Sequence, residues 1–236
     1  MKRKILVGVL ILLVVVESTI LGLILMWPQG PVPQGAPTTR PEGDDWIDLL
    51  DAQHASGWAN VSDDRDIFEI ADGALHIYGT FGRLRYVAYT TETFADFDLH
   101  IEFKVTPRAN SGLFLRVPKG ESPFRGFEIQ VLDDHGKPPN AHRSGAVYDV
   151  VTPMHNLSRP TGQWNAYDVT LRDRTVTVRM NGWLVLQSDF SKMTTPLGKF
   201  AAPYAKMPLE GMISLQDHGG EVWYRNILLR SHQGGL

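Results

Sequence analysis

From residue 98 to residue 106 polar and apolar side chains alternate without a break. Leu99, Ile101, Phe103 and Val105 fall on one side, Asp98, His100, Glu102 and Lys104 on the other. A period of two belongs to a half-buried strand, so this stretch is expected to line a core with one face and meet solvent with the other. Strand-like runs recur at 68–71, 74–78, 85–90, 111–117, 126–132, 146–150, 164–172, 175–180, 183–187, 211–216 and 222–229. Asp72-Gly73 and Asn181-Gly182 each separate two of these runs, and such pairs supply the positive φ angles of a type I′ hairpin turn. No window of a dozen residues carries a helical stripe. Around a dozen short strands with Gly, Pro and Asn turns predict an all-β sandwich or barrel over residues 44–231, followed by a short tail, 232–236. The longest stretch without a pattern, 191–210, holds three prolines and is expected to form a rim loop.

The first 43 residues follow a different rule. Residues 5–27 are apolar except for Glu17, Ser18 and Thr19, and at about 1.5 Å per residue they reach roughly 34 Å, enough to cross a hydrocarbon core. The run ends in Met26-Trp27-Pro28 without a small-residue cleavage site, so residues 1–27 are read as one uncleaved transmembrane anchor helix, a cleaved signal peptide being the alternative. Lys2, Arg3 and Lys4 are expected to stay in the cytoplasm, which places the C-terminal part on the extracytoplasmic, periplasmic side. Residues 28–43 contain five prolines and almost no apolar side chains, and read as a semi-extended tether. A carboxylate at position 17, close to mid-bilayer, costs roughly 2.5–3.5 kcal/mol. It is therefore expected to meet a partner helix, which makes the chain an auxiliary or scaffold subunit docked on a larger membrane complex through its anchor and sandwich loops. Protonated Glu17 bonded within its own helix is the plainer alternative.

Composition narrows the choice of chemistry. Lys and Arg number 23 against 26 Asp and Glu; setting aside Lys2, Arg3, Lys4 and Glu17 leaves 20 and 25, net −5. That sign gives no footprint for a nucleic-acid backbone, and no nucleic-acid partner is expected. With no cysteine there are no disulfides, thiolate metal sites or cysteine nucleophiles. Asp133, Asp134, His135 and His142 lie close together in a Gly/Pro/Asn-rich stretch without a known ligand spacing, so neither a metal nor another cofactor is expected.

The period of two also sorts the candidate site. In 126–132 it sends Phe127, Ile129 and Val131 inward and Glu128 with Gln130 outward; in 111–117 it sends Phe114 and Arg116 outward; in 211–218 it sends Ser214, Gln216 and His218 outward. Gathered on one concave sheet, these would place an acid, a guanidinium, an imidazole and two amides beside an aromatic ring, as a sugar cleft requires. The set 98/100/102/104 reads instead as a plain solvent face.

Six segments in register carry a family resemblance: 110–116 (NSGLFLR), 126–133 (GFEIQVLD), 145–148 (GAVY), 162–165 (GQWN), 180–182 (MNG), and 215–219 (LQDHG) followed by 224–227 (YRNI). Together they resemble the 3-keto-disaccharide hydrolase domain family over about residues 46–230. The resemblance implies a concanavalin-A-like jelly roll with a possible sugar ligand on its concave face. Glu128-x-Gln130-x-x-Asp133 echoes the Glu-x-Asp-x-x-Glu run of related sandwich glycosidases, but the central acid is an amide here, which argues against double displacement by two carboxylates. A 3-keto sugar offers base-initiated elimination and later hydration. On that reading Glu128 or His218 is the base and the other the acid, and Arg116 stabilises the enolate oxygen. Phe114, Gln130, Asp133 and Gln216 would hold the substrate. Docking subunit and 3-keto-glycoside hydrolase are the two functions expected.

Overall fold

The computed structural model describes residues 40–63, 65–199 and 202–232. The expected anchor, Glu17 within it, and the tether up to residue 39 lie outside the described residues. Among the described residues no helix is long and apolar enough to cross a membrane.

Thirteen strands, interrupted only by short 3-10 turns among the described residues, form two antiparallel sheets. One has five strands in the order β2 (Trp58–Asn60), β5 (Arg85–Tyr89), β12 (Met212–Asp217), β7 (Asn110–Val117) and β8 (Phe127–Leu132). The other runs β11 (Trp183–Asp189), β10 (Thr175–Met180), β9 (Trp164–Arg172), β6 (Phe97–Val105), β13 (Val222–Ser231), β4 (Ala74–Ile77) and β3 (Phe68–Ala71), with the two-residue β1 (Ile47–Asp48) also on β13. Both expected hairpins are present. Asp72 and Gly73 have φ of 52° and 72°, Asn181 and Gly182 have 51° and 85°, the paired positive angles of a type I′ turn.

Strand periodicity explains the core. Leu99, Ile101 and Phe103 of β6, Phe127, Ile129 and Val131 of β8, and Ile213 with Leu215 of β12 meet in one buried cluster between the sheets. Each such side chain contributes about 1.5–3 kcal/mol relative to exposure. Tyr167 stays in this apolar layer because its hydroxyl donates to the Gln130 carbonyl at 2.6 Å.

Three expectations need correction. Residues 146–150 are not a strand: Val147 makes only isolated bridges to Ile129 and Val151, because this segment folds as a loop over β8. The outward row on β6 is not a plain solvent face, since His100 and Glu102 are only 1% and 3% exposed. They are covered by charged and polar neighbours. Glu102 accepts from Arg225 Nε and Asn226 Nδ2, both at 2.8 Å, and His100 Nδ1 lies 2.6 Å from Asp168 Oδ1. The third correction is Arg116. Between the pairs Phe114↔Ser214 and Val117↔Met212 two residues of β7 face one of β12, and Arg116 takes φ 56°. This bulge breaks the alternation. Val117, not Arg116, follows Phe114 on the outer face, where it clusters with Tyr86, Ala88 and Met212. The Arg116 side chain turns to the sandwich edge, donating to the carbonyls of Ala95 and Asp173 and to Asp96 Oδ1.

Candidate active site

The outer face of the five-stranded sheet holds a pocket of about 190 Å³. That is below the ~300–1,000 Å³ of sites for drug-sized ligands, and leaves room for one ring-sized group. Its floor comes from strands: Glu128 and Gln130 of β8, Gln216 of β12 and Asn110 at the start of β7. Its walls come from loops: His218 just after β12, Tyr148, Phe124, Leu84 and Lys199.

Glu128 is its chemical centre. It pairs across the sheet with Phe114, and its carboxylate folds over Gly112 on β7, the partner of Gln130. A Cβ at Gly112 would lie 2.5 Å from Glu128 Oε1, so the glycine is what lets the carboxylate lie flat there. Glu128 is 2% exposed. Burial pushes its pKa above the ordinary carboxylate value, and the Lys199 ammonium, 2.6 Å from Oε2, pulls it partly back. Lys199 is itself framed by rings, 4.2 Å from the Tyr148 centroid, 4.8 Å from Phe124 and 5.5 Å from Phe114. The residue before it, Gly198, packs so closely that a Cβ there would meet the Asp149 carbonyl oxygen at 2.7 Å. That contact seats the rim loop.

Four phenols among the described residues feel the Glu128 charge, Tyr204 and Tyr224 from the core and Tyr86 and Tyr148 nearer the pocket. Tyr86, which pairs with Gln216 across β5 and β12, has its pKa pushed up to about 12 by burial and by the Glu128 charge. Tyr148 is raised for the same reasons, burial first, then Glu128 and Asp149. At the mouth the exposed His218 ring sits with Nδ1 2.9 Å from Asn110 Nδ2. This contact holds the ring at the mouth of the pocket.

Of the residues expected at the site, the structure brings Glu128, Gln130, Gln216 and His218 into the pocket, with Phe114 fully buried beneath them. It does not bring Arg116 or Asp133. Arg116 is removed by the bulge, and Asp133 is committed to loop bonds, accepting from Arg108 N at 2.8 Å and Thr161 Oγ1 at 2.7 Å. The missing cation is Lys199, which lies in the unpatterned stretch 191–210, where periodicity gives no direction for a side chain. Tyr148 belonged to a recognised segment, but nothing in its spacing assigned it a role. Among the described residues no group of three or more His, Asp or Glu side chains is arranged to hold a metal ion.

The strand order and the pocket on the outer face of the five-stranded sheet define a two-sheet β-sandwich. Two crystal structures of Parabacteroides distasonis proteins described as putative glycosyl hydrolases share the sandwich fold. One has a TM-score of 0.70 at 20% identity, covering 83% of this chain and 100% of its own. The other has a TM-score of 0.61 at 27% identity, covering 88% and 95%. A Bacteroides thetaiotaomicron protein named 3-keto-disaccharide hydrolase is 27% identical over 231 residues, covering 80% of this chain and 79% of its own length. The chain belongs to the 3-keto-alpha-glucoside-1,2-lyase-like domain family, whose model matches residues 45–230.

Proposed function

We propose that this protein cleaves 3-keto-glycosides by elimination across C1 and C2. The observation that carries the reading is the buried Glu128 carboxylate paired with Lys199 at 2.6 Å on the pocket floor. A hydrogen on C2 of a 3-keto sugar is acidic because the adjacent carbonyl accepts the electron pair. Glu128 takes that proton, and the C2–H electrons form a C2=C3 enolate whose charge rests on the C3 oxygen. Lys199, fixed among three rings, supplies the positive charge that stabilises this oxygen. The enolate then collapses to restore the C3 carbonyl and form C1=C2. The C1–O bond breaks, and the departing oxygen takes a proton from the His218 imidazolium, which is left as the neutral ring. The products are an unsaturated 3-keto sugar and the free alcohol or sugar; addition of water to the double bond completes a net hydrolysis. Gln130, Gln216 and Asn110 are placed to bind ring hydroxyls.

A raised pKa suits Glu128 to this work, since a base nearer the operating pH has more driving force for taking the proton. The reading is tested on the full chain in mild detergent with 3-keto-α-glucosides, beside Glu128→Gln. Turnover to the unsaturated sugar, lost in the variant, supports it; no turnover by the unmodified protein overturns it. The docking-subunit reading rests on Glu17 in the apolar run 5–27. It is tested separately by co-purification in mild detergent: a partner retained by the native chain and lost by Glu17→Leu supports it, and migration of both as free monomers overturns it. A membrane-held extracytoplasmic enzyme satisfies both sets of features.

A further inference from the structure

A second cavity, of about 380 Å³, shares Lys199 and Phe124 with the pocket around Glu128. Its wall includes Arg125, Lys199 and Lys206 together with the apolar Phe124, Met207 and Pro208, and no acidic side chain among the described residues. The carboxylates that face two of these cations stand outside it. Arg125 Nε donates to Glu121, which lines another cavity, and Lys199 donates to Glu128 in the reaction pocket. Three positive charges on one wall run against the acidic balance of the chain as a whole. A cleft lined by one sign of charge concentrates and orients ligands of the other sign.

Resting on the elimination reading, we infer that this cavity receives the leaving group, and that the preferred leaving group carries a carboxylate. The two cavities adjoin at Lys199 and Phe124, so a leaving group too large for the pocket around Glu128 would extend into this one. Phe124, Met207 and Pro208 give an apolar surface for a ring, and Arg125 with Lys206 give the anion its partners. Arg125 is suited to a carboxylate because its guanidinium offers several donors in a plane, Lys206 because its ammonium is a mobile point charge.

The test compares the 3-keto-α-glucosides of 4-hydroxybenzoate and of 4-hydroxybenzamide, ring systems of like shape that differ in charge. The full chain is measured at low salt beside Lys206→Met and Arg125→Met. The intrinsic difference between the leaving groups cancels when native and variant are compared. The ratio of kcat/KM for carboxylate over amide is expected to fall about fivefold in each variant, the scale of one solvent-accessible charge contact, and to fall in the native protein as salt is raised. A ratio that neither variant nor salt changes overturns the inference. If neither glycoside turns over, the elimination reading fails, and titration calorimetry with the same two compounds still judges the cavity. Tighter binding of the carboxylate, lost in Lys206→Met, supports the site; equal binding of the two overturns it.

Discussion

Two glutamates, one on the outer face of each sheet, are buried to nearly the same degree, yet their pKa values are shifted in opposite directions. Glu102 on β6 is 3% exposed and Glu128 on β8 is 2% exposed. Burial opposes the charge on both. At Glu102 it is outweighed by His100, Asn226 and Arg225, which hold the carboxyl down at about 2. At Glu128 only Lys199 opposes it, and the carboxyl stays above its ordinary value. A buried acid whose lone pairs are all taken is structural; one left partly unsatisfied beside a cavity is available to a substrate. Burial alone does not mark a site. The number and kind of partners do.

The largest expected effect separates these two. Glu128→Gln should lower kcat on a 3-keto-α-glucoside by roughly 10²–10⁴-fold, the usual weight of a positioned base. Its Tm near pH 7 should hold or rise. A carboxyl whose pKa is higher folded than unfolded loses stability above the unfolded value, and the neutral amide removes that loss. Glu102→Gln should do the reverse, keeping turnover while losing on the order of 1–3 kcal/mol in a denaturant titration. If Glu128→Gln loses stability and Glu102→Gln loses activity, the contrast collapses.

Next in size is Lys199→Met. Removing a charge aimed at the developing oxyanion is expected to cost about 10²–10³-fold in kcat. The same change removes what pulls the Glu128 pKa down, so the acid limb of the kcat/KM profile should move to higher pH. A rate loss with an unmoved limb would separate Lys199 from Glu128.

Arg116→Met tests the corrected assignment. With the carbonyls of Ala95 and Asp173 losing their donor, stability should fall by about 2–4 kcal/mol while KM is held. A selective loss of kcat in well-folded protein would return Arg116 to the chemistry.

The smallest effect is a pH dependence on the Glu102 face. Burial works against the His100 charge, but Asp168 and Glu102 outweigh it and raise the pKa to about 9. A raised folded pKa contributes stability that is complete below the unfolded value of about 6.5 and is lost as pH climbs through 9. Tm should therefore decline between pH 7 and 10, and His100→Gln should flatten that decline without altering the activity limb set by Glu128.

The sequence by itself determined most of the strands from 68 onward, both type I′ hairpins and most inward residues, because these depend on local backbone preference and a period of two; the short β1 and β2 carry no such pattern, and 146–150 has the pattern but folds as a loop. It also gave the outward parity of Glu128 with Gln130 and of Gln216 with His218 on their own runs, and the ordered segments around them carried the family; that the two runs lie in one sheet was decided by the fold. Tertiary structure alone decided the rest. The bulge that turned Arg116 to the sandwich edge is a mismatch between β7 and β12, visible only when the two are paired. Lys199 reaches Glu128 across 71 positions of chain, from a loop seated by Gly198 against Asp149. The opposite pKa shifts of Glu102 and Glu128 arise from partners on other strands and loops. Alternation says which way a side chain points; only packing says what it meets there.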